Sequence, residues 1–233
     1  MSEERPESVL KLRRIRSFVL RTGRMTSGQQ RALDELWPQF GVEYSPAQLN
    51  LDQLFCRSAP RMIEIGFGTG EALSMFAQAH PGMDCLGIEV HRPGAGHLLL
   101  DMETRCINNI RISCHDAVEV LSHQIPLSSI DAVHIFFPDP WHKTRHHKRR
   151  LIQTPFADLL ARVLKPAGTL RLATDWQDYA NHMRAVLDVH SGFDNIAGSA
   201  GFVARPDDRP LTRFERRGHR LGHGVWDLTY VRR

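Results

Sequence analysis

An α/β fold built on a mostly parallel, doubly wound sheet is the architecture this 233-residue sequence predicts, and three observations carry it. From residue 61 onward, short apolar runs alternate with stretches of helical periodicity, as in successive β-α-β units. A glycine-rich turn joins the first of these runs to the first helix. Several of the runs end on or beside a carboxylate, which would line one edge of the sheet with acids.

Met62-Ile63-Glu64-Ile65 reads as the first strand. It closes on Gly66-Phe67-Gly68-Thr69-Gly70, and a helical stretch follows to Ala79. Pro81-Gly82 turns the chain into a second strand over residues 83–90. Residues 93–107 read as a helix carrying Leu98, Leu99, Met102 and Ile107. A third strand, 110–114, leads to His115-Asp116, a short helix over 117–122, and a fourth strand over 130–137. Residues 152–164 place Ile152, Phe156, Leu159, Leu160 and Val163 on one helical face. Lys165-Pro166-Ala167-Gly168 is expected to stop that helix. A fifth strand, 169–174, ends at Asp175, a helix covers 179–189, and weaker strands lie near 193–197 and 226–231. Residues 1–57 lack strand alternation and carry Gly23, Gly28, Pro38, Gly41 and Pro46. They read as a basic N-terminal arm with short helical pieces such as 27–36, ahead of a domain spanning 58–233.

Composition narrows the class. Hydrophobic residues at 42% and charged residues at 24% suit a soluble globular protein. No run approaches the roughly 18 apolar residues of a membrane span, and the first thirty residues hold no apolar leader core. A cytoplasmic protein without a membrane partner is expected. Nothing implies an obligate protein partner, so a monomer or a homodimer is expected. Cys56, Cys85, Cys106 and Cys114 show neither a CxxC pair nor zinc spacing, and read as small buried hydrophobes in a reducing compartment. His142, His146 and His147 lie among cations with no carboxylate or thiolate ligand nearby, so no metal is expected.

The formal net charge is only +4, but it is unevenly distributed. Residues 11–31 hold seven Lys or Arg and no acid, and residues 143–150 hold five more. Like charges so close repel unless a polyanion neutralises them, although a solvated basic loop is the plainer alternative. The second block follows Pro138-Asp139-Pro140-Trp141, so the fourth strand would deliver a carboxylate and an aromatic to its C-terminal end. Ligands sit at that edge in open α/β sheets.

Gly66, Gly68 and Gly70 allow the backbone to approach a ligand, or they simply make a tight turn. Their spacing is GxGxG, not the GxGxxG of the dinucleotide fingerprint. Glu89, 19 residues after Gly70, can accept both ribose hydroxyls of a nucleoside, and Asp116 could accept from an adenine amino group. Glu64 lies inside an apolar strand and needs a partner if buried: a cationic ligand group, or a salt bridge with Arg61 or Arg92. Glu64, Glu89, Asp116 and Asp139 along one edge would repel a pyrophosphate. They suit S-adenosylmethionine, which offers ribose, adenine, an ammonium and a sulfonium.

These segments resemble the bacterial tRNA (guanine-N7-)-methyltransferases. The matching pieces are Glu64-Ile65-Gly66-Phe67-Gly68-Thr69-Gly70, Gly87-Ile88-Glu89-Val90-His91, Phe137-Pro138-Asp139-Pro140-Trp141-His142-Lys143 running on to Arg150, Thr174-Asp175-Trp176 and Thr212-Arg213-Phe214-Glu215. The arm Arg16-Ser17-Phe18-Val19-Leu20-Arg21 with Gly23-Arg24 is similar too, and Arg213 departs from the Lys of many members. The resemblance implies a Rossmann-like class I methyltransferase fold with a seven-stranded sheet, and methylation of the variable-loop guanine at tRNA position 46. It implies cofactor contacts from Glu64, Gly66, Gly68, Glu89, Asp116 and Asp139, with Asp139 also catalytic. It assigns Lys143, Asp175, Thr212, Arg213, Phe214 and Glu215 to the substrate guanosine. Arg145, His146, His147, Lys148, Arg149 and Arg150 are assigned to the RNA.

The chemistry agrees with those residue types. Guanine N7 has an in-plane lone pair and no proton, so no general base is needed. A carboxylate such as Asp139 would stabilise the cationic product. Asp175 or Glu215 could accept from guanine N1–H and its amino group. Trp141, Trp176 and Phe214 are candidates to stack on an extruded base, with core packing the alternative for the two tryptophans. Two other readings stay open: a methyltransferase acting on another RNA or a small molecule, and a non-enzymatic RNA-binding protein.

Overall fold

The computed structural model describes residues 15–19 and 23–233. Lys11, Arg13, Arg14 and Arg21 of the first basic block lie outside the described residues.

Eight strands, among the described residues, form one sheet: β1 (Gly41–Val42), β2 (Arg61–Ile65), β3 (Asp84–Ile88), β4 (Ile110–Ser113), β5 (Ile130–Phe136), β6 (Leu164–Thr174), β7 (Phe193–Asn195) and β8 (Trp226–Arg232). Their order is β1-β4-β3-β2-β5-β6-β8-β7, parallel throughout except for β8 against its two neighbours. The chain winds outward from β2 through β3 to β4, then returns to β5 on the other side of β2. The sheet's switch point, where a crevice opens in such folds, therefore lies between the C-terminal ends of β2 and β5.

The alternation of β2 divides the core in two. Met62 faces an apolar layer with Leu73, Phe76, Leu98 and Met102. Ile63 and Ile65 face another with Val133, Ile135, Phe156, Leu160 and Met183. The first layer is covered by α1 (Ser27–Phe40), α3 (Glu71–Ala79) and α4 (Arg92–Arg105), the second by α6 (Thr154–Val163) and α7 (Gln177–Leu187). Between them in the chain come the short helices α2 (Leu51–Phe55) and α5 (Ala117–Glu119). Helix α1 begins with a reciprocal cap: Thr26 accepts from the Gln29 N–H, and the Gln29 side chain accepts from the Thr26 N–H. It crosses α4 closely, because a Cβ on Gly96 would stand 2.9 Å from the Gln29 carbonyl oxygen.

Several features differ from the sequence expectation. The sheet has eight strands, not seven: Gly41–Val42 pairs with Ile112–Ser113, too short a run to show periodicity. Lys165-Pro166-Ala167-Gly168 does not separate helix from strand. It lies within β6 and bulges it, shifting the register from Ile130↔Leu164 to Ala132↔Thr169, with Ala167 at φ +63°. Helix α5 stops at Glu119 and continues as a π-helical turn over Val120–Gln124. Cys56 and Cys106 are exposed in left-handed C-cap positions, so only Cys85 is fully buried and Cys114 half-buried. A last helix, α8 (Arg213–Arg220), forms where no periodicity announced one. No described helix is long and apolar enough to cross a membrane.

Candidate active site

A cavity of about 430 Å³ opens at the switch point, a volume suited to a nucleoside-sized ligand. Gly66, Gly68, Glu89, Asp116, Phe137 and Asp139 line it, and Ser17, Phe18 and Val19 reach over from the N-terminal segment.

The glycine loop is forced by its backbone. Gly66, Gly68 and Gly70 have φ of +75°, +59° and +82°, which side chains rarely adopt. A Cβ on Gly66 or Gly68 would meet nothing within 4 Å, so both leave open room above the loop. At Gly70 it would lie 2.7 Å from Leu98. Glu89 stitches the loop to the next turn: one carboxylate oxygen accepts from the Gly68 N–H at 2.9 Å, the other from the Val90 and His91 N–H groups at 2.7 and 3.1 Å. Asp116 caps α5 by accepting from the Val118 N–H at 3.0 Å.

Glu64 is 3% exposed and Oε2 has no hydrogen-bond partner. The alternative salt bridges are absent, since Arg61 pairs with Asp52 and Arg92 lies over Trp37. Glu64 does not line the main cavity; it borders a small void with Phe76, His134, Arg171, Asp208 and Arg209. Burial, with Glu89 nearby, pushes its carboxyl up to about 8. Its neighbour His134 is pushed down to about 3 by burial and by Arg171. Glu64 therefore stands outside the cavity, while the open room above Gly66 and Gly68 and the Glu89 carboxylate beside them fit a nucleoside. The residues present are thus compatible with S-adenosylmethionine.

Asp139 is exposed at the cavity rim, held between Pro138 and Pro140. The chain bends sharply on both sides of this triplet, with Phe137 at φ +54° and Trp141 at +49°. Such strain in non-glycine residues costs on the order of 1–3 kcal/mol each and gathers where geometry serves function.

The basic block splits into two populations. Lys143, Arg145 and Lys148 are exposed, and His146 and His147 are half-buried. Arg149 turns inward: it donates to the carbonyls of Arg16 and Phe18 at 3.1 and 3.2 Å and lies 3.9 Å over the Trp141 ring. The Trp141 N–H donates to the Ser17 carbonyl at 3.0 Å, so this tryptophan latches the N-terminal segment and is not core. Arg150 is 3% exposed. It donates to the Pro140 carbonyl at 2.9 Å and contacts Asp178, His147 and the Tyr179 ring. The expectation that Arg150 faces RNA is corrected by that burial.

Past the C-terminal end of β6, outside the residues that line the cavity, Asp175 is half-buried, with His223 at 3.5 Å. Trp176 is exposed, with His142 edge-on at 4.2 Å, so it is not core either. Phe214 is exposed and packs against Phe137 at 5.1 Å. Thr212 caps α8 through the Glu215 N–H, and the Arg213 N–H donates to Glu71 at 2.7 Å. The expectation that Glu215 reads the guanine edge is corrected as well. Its carboxylate is buried, with Arg209 donating to both oxygens at 2.7 and 2.8 Å. Arg209 and Glu71, which hold α8 in place, gave no sequence signal: Arg209 sits in a proline-rich loop, and Glu71 reads as any first-turn acid. Among the described residues no group of three His, Cys, Asp or Glu is placed to hold a metal ion.

Comparison with known proteins agrees with this geometry. The family model described as "Putative methyltransferase" matches residues 58–228. The tRNA (guanine-N(7)-)-methyltransferase of Alcanivorax borkumensis is 52% identical over 228 residues, 98% of this chain and 95% of that protein. That of Yersinia pestis is 54% identical over 233 residues, covering 100% and 98%. In fold, the 16S rRNA methyltransferase KamB superposes with a TM-score of 0.57 at 16% identity, over 78% of this chain and 92% of its own. The antibiotic-resistance methyltransferase Kmr superposes at 0.52 and 17%, over 84% and 98%. With identity above half over nearly its full length, this chain belongs to the tRNA (guanine-N(7)-)-methyltransferase family.

Proposed function

We propose that this protein methylates N7 of a guanine in tRNA, at position 46 of the variable loop. The observation that carries the reading is the placement of Asp139. It stands at the mouth of the nucleoside-sized cavity, a few residues from the exposed Lys143, Arg145 and Lys148. Residues 58–233 form the catalytic unit in this reading, and the preceding segment serves as an arm that reaches the cavity.

Glu64, Gly66, Gly68, Glu89, Asp116 and Asp139 hold the cofactor, which when bound supplies an electrophilic methyl group. Glu89 keeps one acceptor site, on the oxygen that takes the Gly68 N–H, for a ribose hydroxyl, and Asp116 has lone pairs left for an amino group. The chain removes no proton from the base, because guanine N7 carries none. Catalysis rests on orientation and on a site screened from water. Asp139 offsets the positive charge that develops on the base. Asp175, with His223 beside it at 3.5 Å, is the carboxylate that accepts from the guanine N1–H and amino group, and Phe214 and Trp176 offer exposed faces for stacking. Lys143 and Arg213 contact the substrate guanosine, while Arg145 and Lys148 contact the RNA backbone further out. A tRNA substrate and the absence of a membrane-spanning helix among the described residues suit a cytoplasmic enzyme.

The test is direct. Unmodified tRNA is incubated with the protein and S-adenosylmethionine, and N7-methylguanine is mapped by mild reduction and aniline cleavage. A single cut at position 46 is expected. Transfer without such a cut would point to another atom or another substrate.

A further inference from the structure

We infer that α8 is a second phosphate-binding element for the RNA, on the face of the sheet opposite the 143–149 turn; this rests on the reading of the substrate as tRNA. Helix α8 carries Arg213, Arg216, Arg217 and Arg220 against one acid, Glu215, whose carboxylate is buried. Its exposed charges are therefore all cationic, beside the exposed Phe214 ring. The helix is also firmly seated. Arg209 holds Glu215 from below, and Glu71 takes the Arg213 N–H at one oxygen and Arg216 at the other, at 2.7 and 3.0 Å.

That seating leaves Arg213, Arg217 and Arg220 exposed, and among the described residues their guanidinium groups meet no partner. Several other surface arginines are paired: Arg31 with Glu35 and Glu103, Arg105 with Asp101, Arg171 with Asp208, Arg233 with Asp194. A seated helix whose cations face outward without acids is self-repelling until an anion arrives.

Topology says where that anion lies. The 143–149 turn runs into α6, whose Phe156 and Leu160 fill one core layer. Helix α8 is tied through Glu71 to α3, whose Leu73 and Phe76 fill the other. Because β8 is antiparallel and Trp226 pairs with Thr174, the chain enters β8 at the same sheet edge where β5 and β6 end. Unpaired cations thus flank the cavity mouth on both faces, with Asp139 and the Phe137–Phe214 contact between them. A polyanion lying across the mouth would be neutralised from both sides while one base enters the cleft.

The experiment is the salt dependence of tRNA binding for Arg217→Gln/Arg220→Gln. Removing one cation–phosphate pair should lower the log–log slope by about 0.7–0.9, so a drop of somewhat less than two units is expected. Half-saturation by tRNA should rise, while turnover at saturating tRNA and cofactor affinity hold. Arg217→Lys/Arg220→Lys should keep the slope, because a phosphate contact reads charge. Arg105→Gln, in the last turn of α4 and paired on its own helix, is the control and should change nothing. A folded Gln/Gln variant with the wild-type slope overturns the inference, and so does a Lys/Lys variant that loses it. Wild-type N7-methylguanine formation in the same assay shows that the activity reading survives either failure. Its absence would instead sink that reading.

Discussion

Arg209 donates to both carboxylate oxygens of Glu215 where neither residue is more than 3% exposed, and Asp227 meets the same guanidinium at 2.7 Å. Two acids share one buried cation, and burial leaves the Asp227 carboxyl above its usual range despite Arg209. Removing the cation strands both carboxylates. Arg209→Met should therefore cost about 3–5 kcal/mol of stability at pH 8. The loss should shrink as pH falls, since the stranded acids can then fold protonated. Urea unfolding at pH 8 and pH 5.5 measures both. A loss below about 1 kcal/mol at pH 8 would mean that Arg209 does not seat α8.

Glu64 makes stability depend on pH in the opposite sense to a paired acid. Its folded pKa of about 8 exceeds the usual 4.5, so the native state holds a proton that the unfolded state has released between those values. Stability must then fall as pH rises from about 4.5 to about 8 and level off above. Glu64→Gln should remove that component, so the variant gains most over wild type, on the order of a few kcal/mol, at pH 8 and above. Thermal melts across pH 5–9 test this. Parallel curves for the two proteins would show that Glu64 is not buried alone. The same variant should bind S-adenosylmethionine less well if Glu64 meets a cationic group.

Glu89→Ala should weaken cofactor binding by roughly ten- to a hundred-fold, the effect of losing charge-assisted bonds worth about 1.5–3 kcal/mol. Because Glu89 also accepts from Gly68, Val90 and His91, part of that loss comes through the glycine loop. Calorimetry with cofactor alone measures it, and an unchanged affinity refutes the assignment.

What was legible in the sequence follows from how far each signal reaches. Apolar runs such as Met62 to Ile65, and the apolar face of Phe156, Leu160 and Val163, are local, so the doubly wound sheet could be read directly. Gly66, Gly68, Glu89, Asp116 and Asp139 were legible because strand ends in such sheets meet at one edge, and the structure brings all five to one cavity. Direction of side chains was not legible. Lys148, Arg149 and Arg150 are adjacent in sequence, yet one points to solvent, one grips the N-terminal segment and one is buried. Glu215 likewise reads as a base-facing acid until Arg209, six residues earlier, is seen to occupy it.

Asp139→Ala should abolish most methyl transfer while leaving the fold intact. The side chain is exposed and makes no hydrogen bond within the described residues, so its loss should shift stability by no more than about 0.5 kcal/mol. A preorganised charge beside the developing cation is worth roughly a hundred- to a thousand-fold in turnover. Single-turnover assays with cofactor and tRNA saturating isolate that step. A wild-type rate from a normally folded variant would remove Asp139 from the mechanism.

The split within residues 143–150 makes opposite predictions for neighbouring residues. Arg145 and Lys148 are exposed and meet no carboxylate among the described residues, so Arg145→Gln/Lys148→Gln should flatten the salt dependence of tRNA binding by somewhat less than two log–log units. Stability and cofactor binding should not change. Arg150→Gln removes a buried guanidinium that contacts Asp178 and donates to the carbonyl of Pro140, the residue after Asp139. It should lower stability by a few kcal/mol, because that carbonyl loses its donor. The slope, by contrast, should stay near wild type. Arg149→Gln lies between the two: it frees Trp141 and the carbonyls of Arg16 and Phe18, which hold the segment over the cavity. Cofactor affinity should fall in that variant even without tRNA, an effect that a pure phosphate contact cannot produce. Calorimetry with S-adenosylmethionine alone decides it: an Arg149→Gln protein with wild-type cofactor affinity and a flattened slope would return Arg149 to the RNA-facing group.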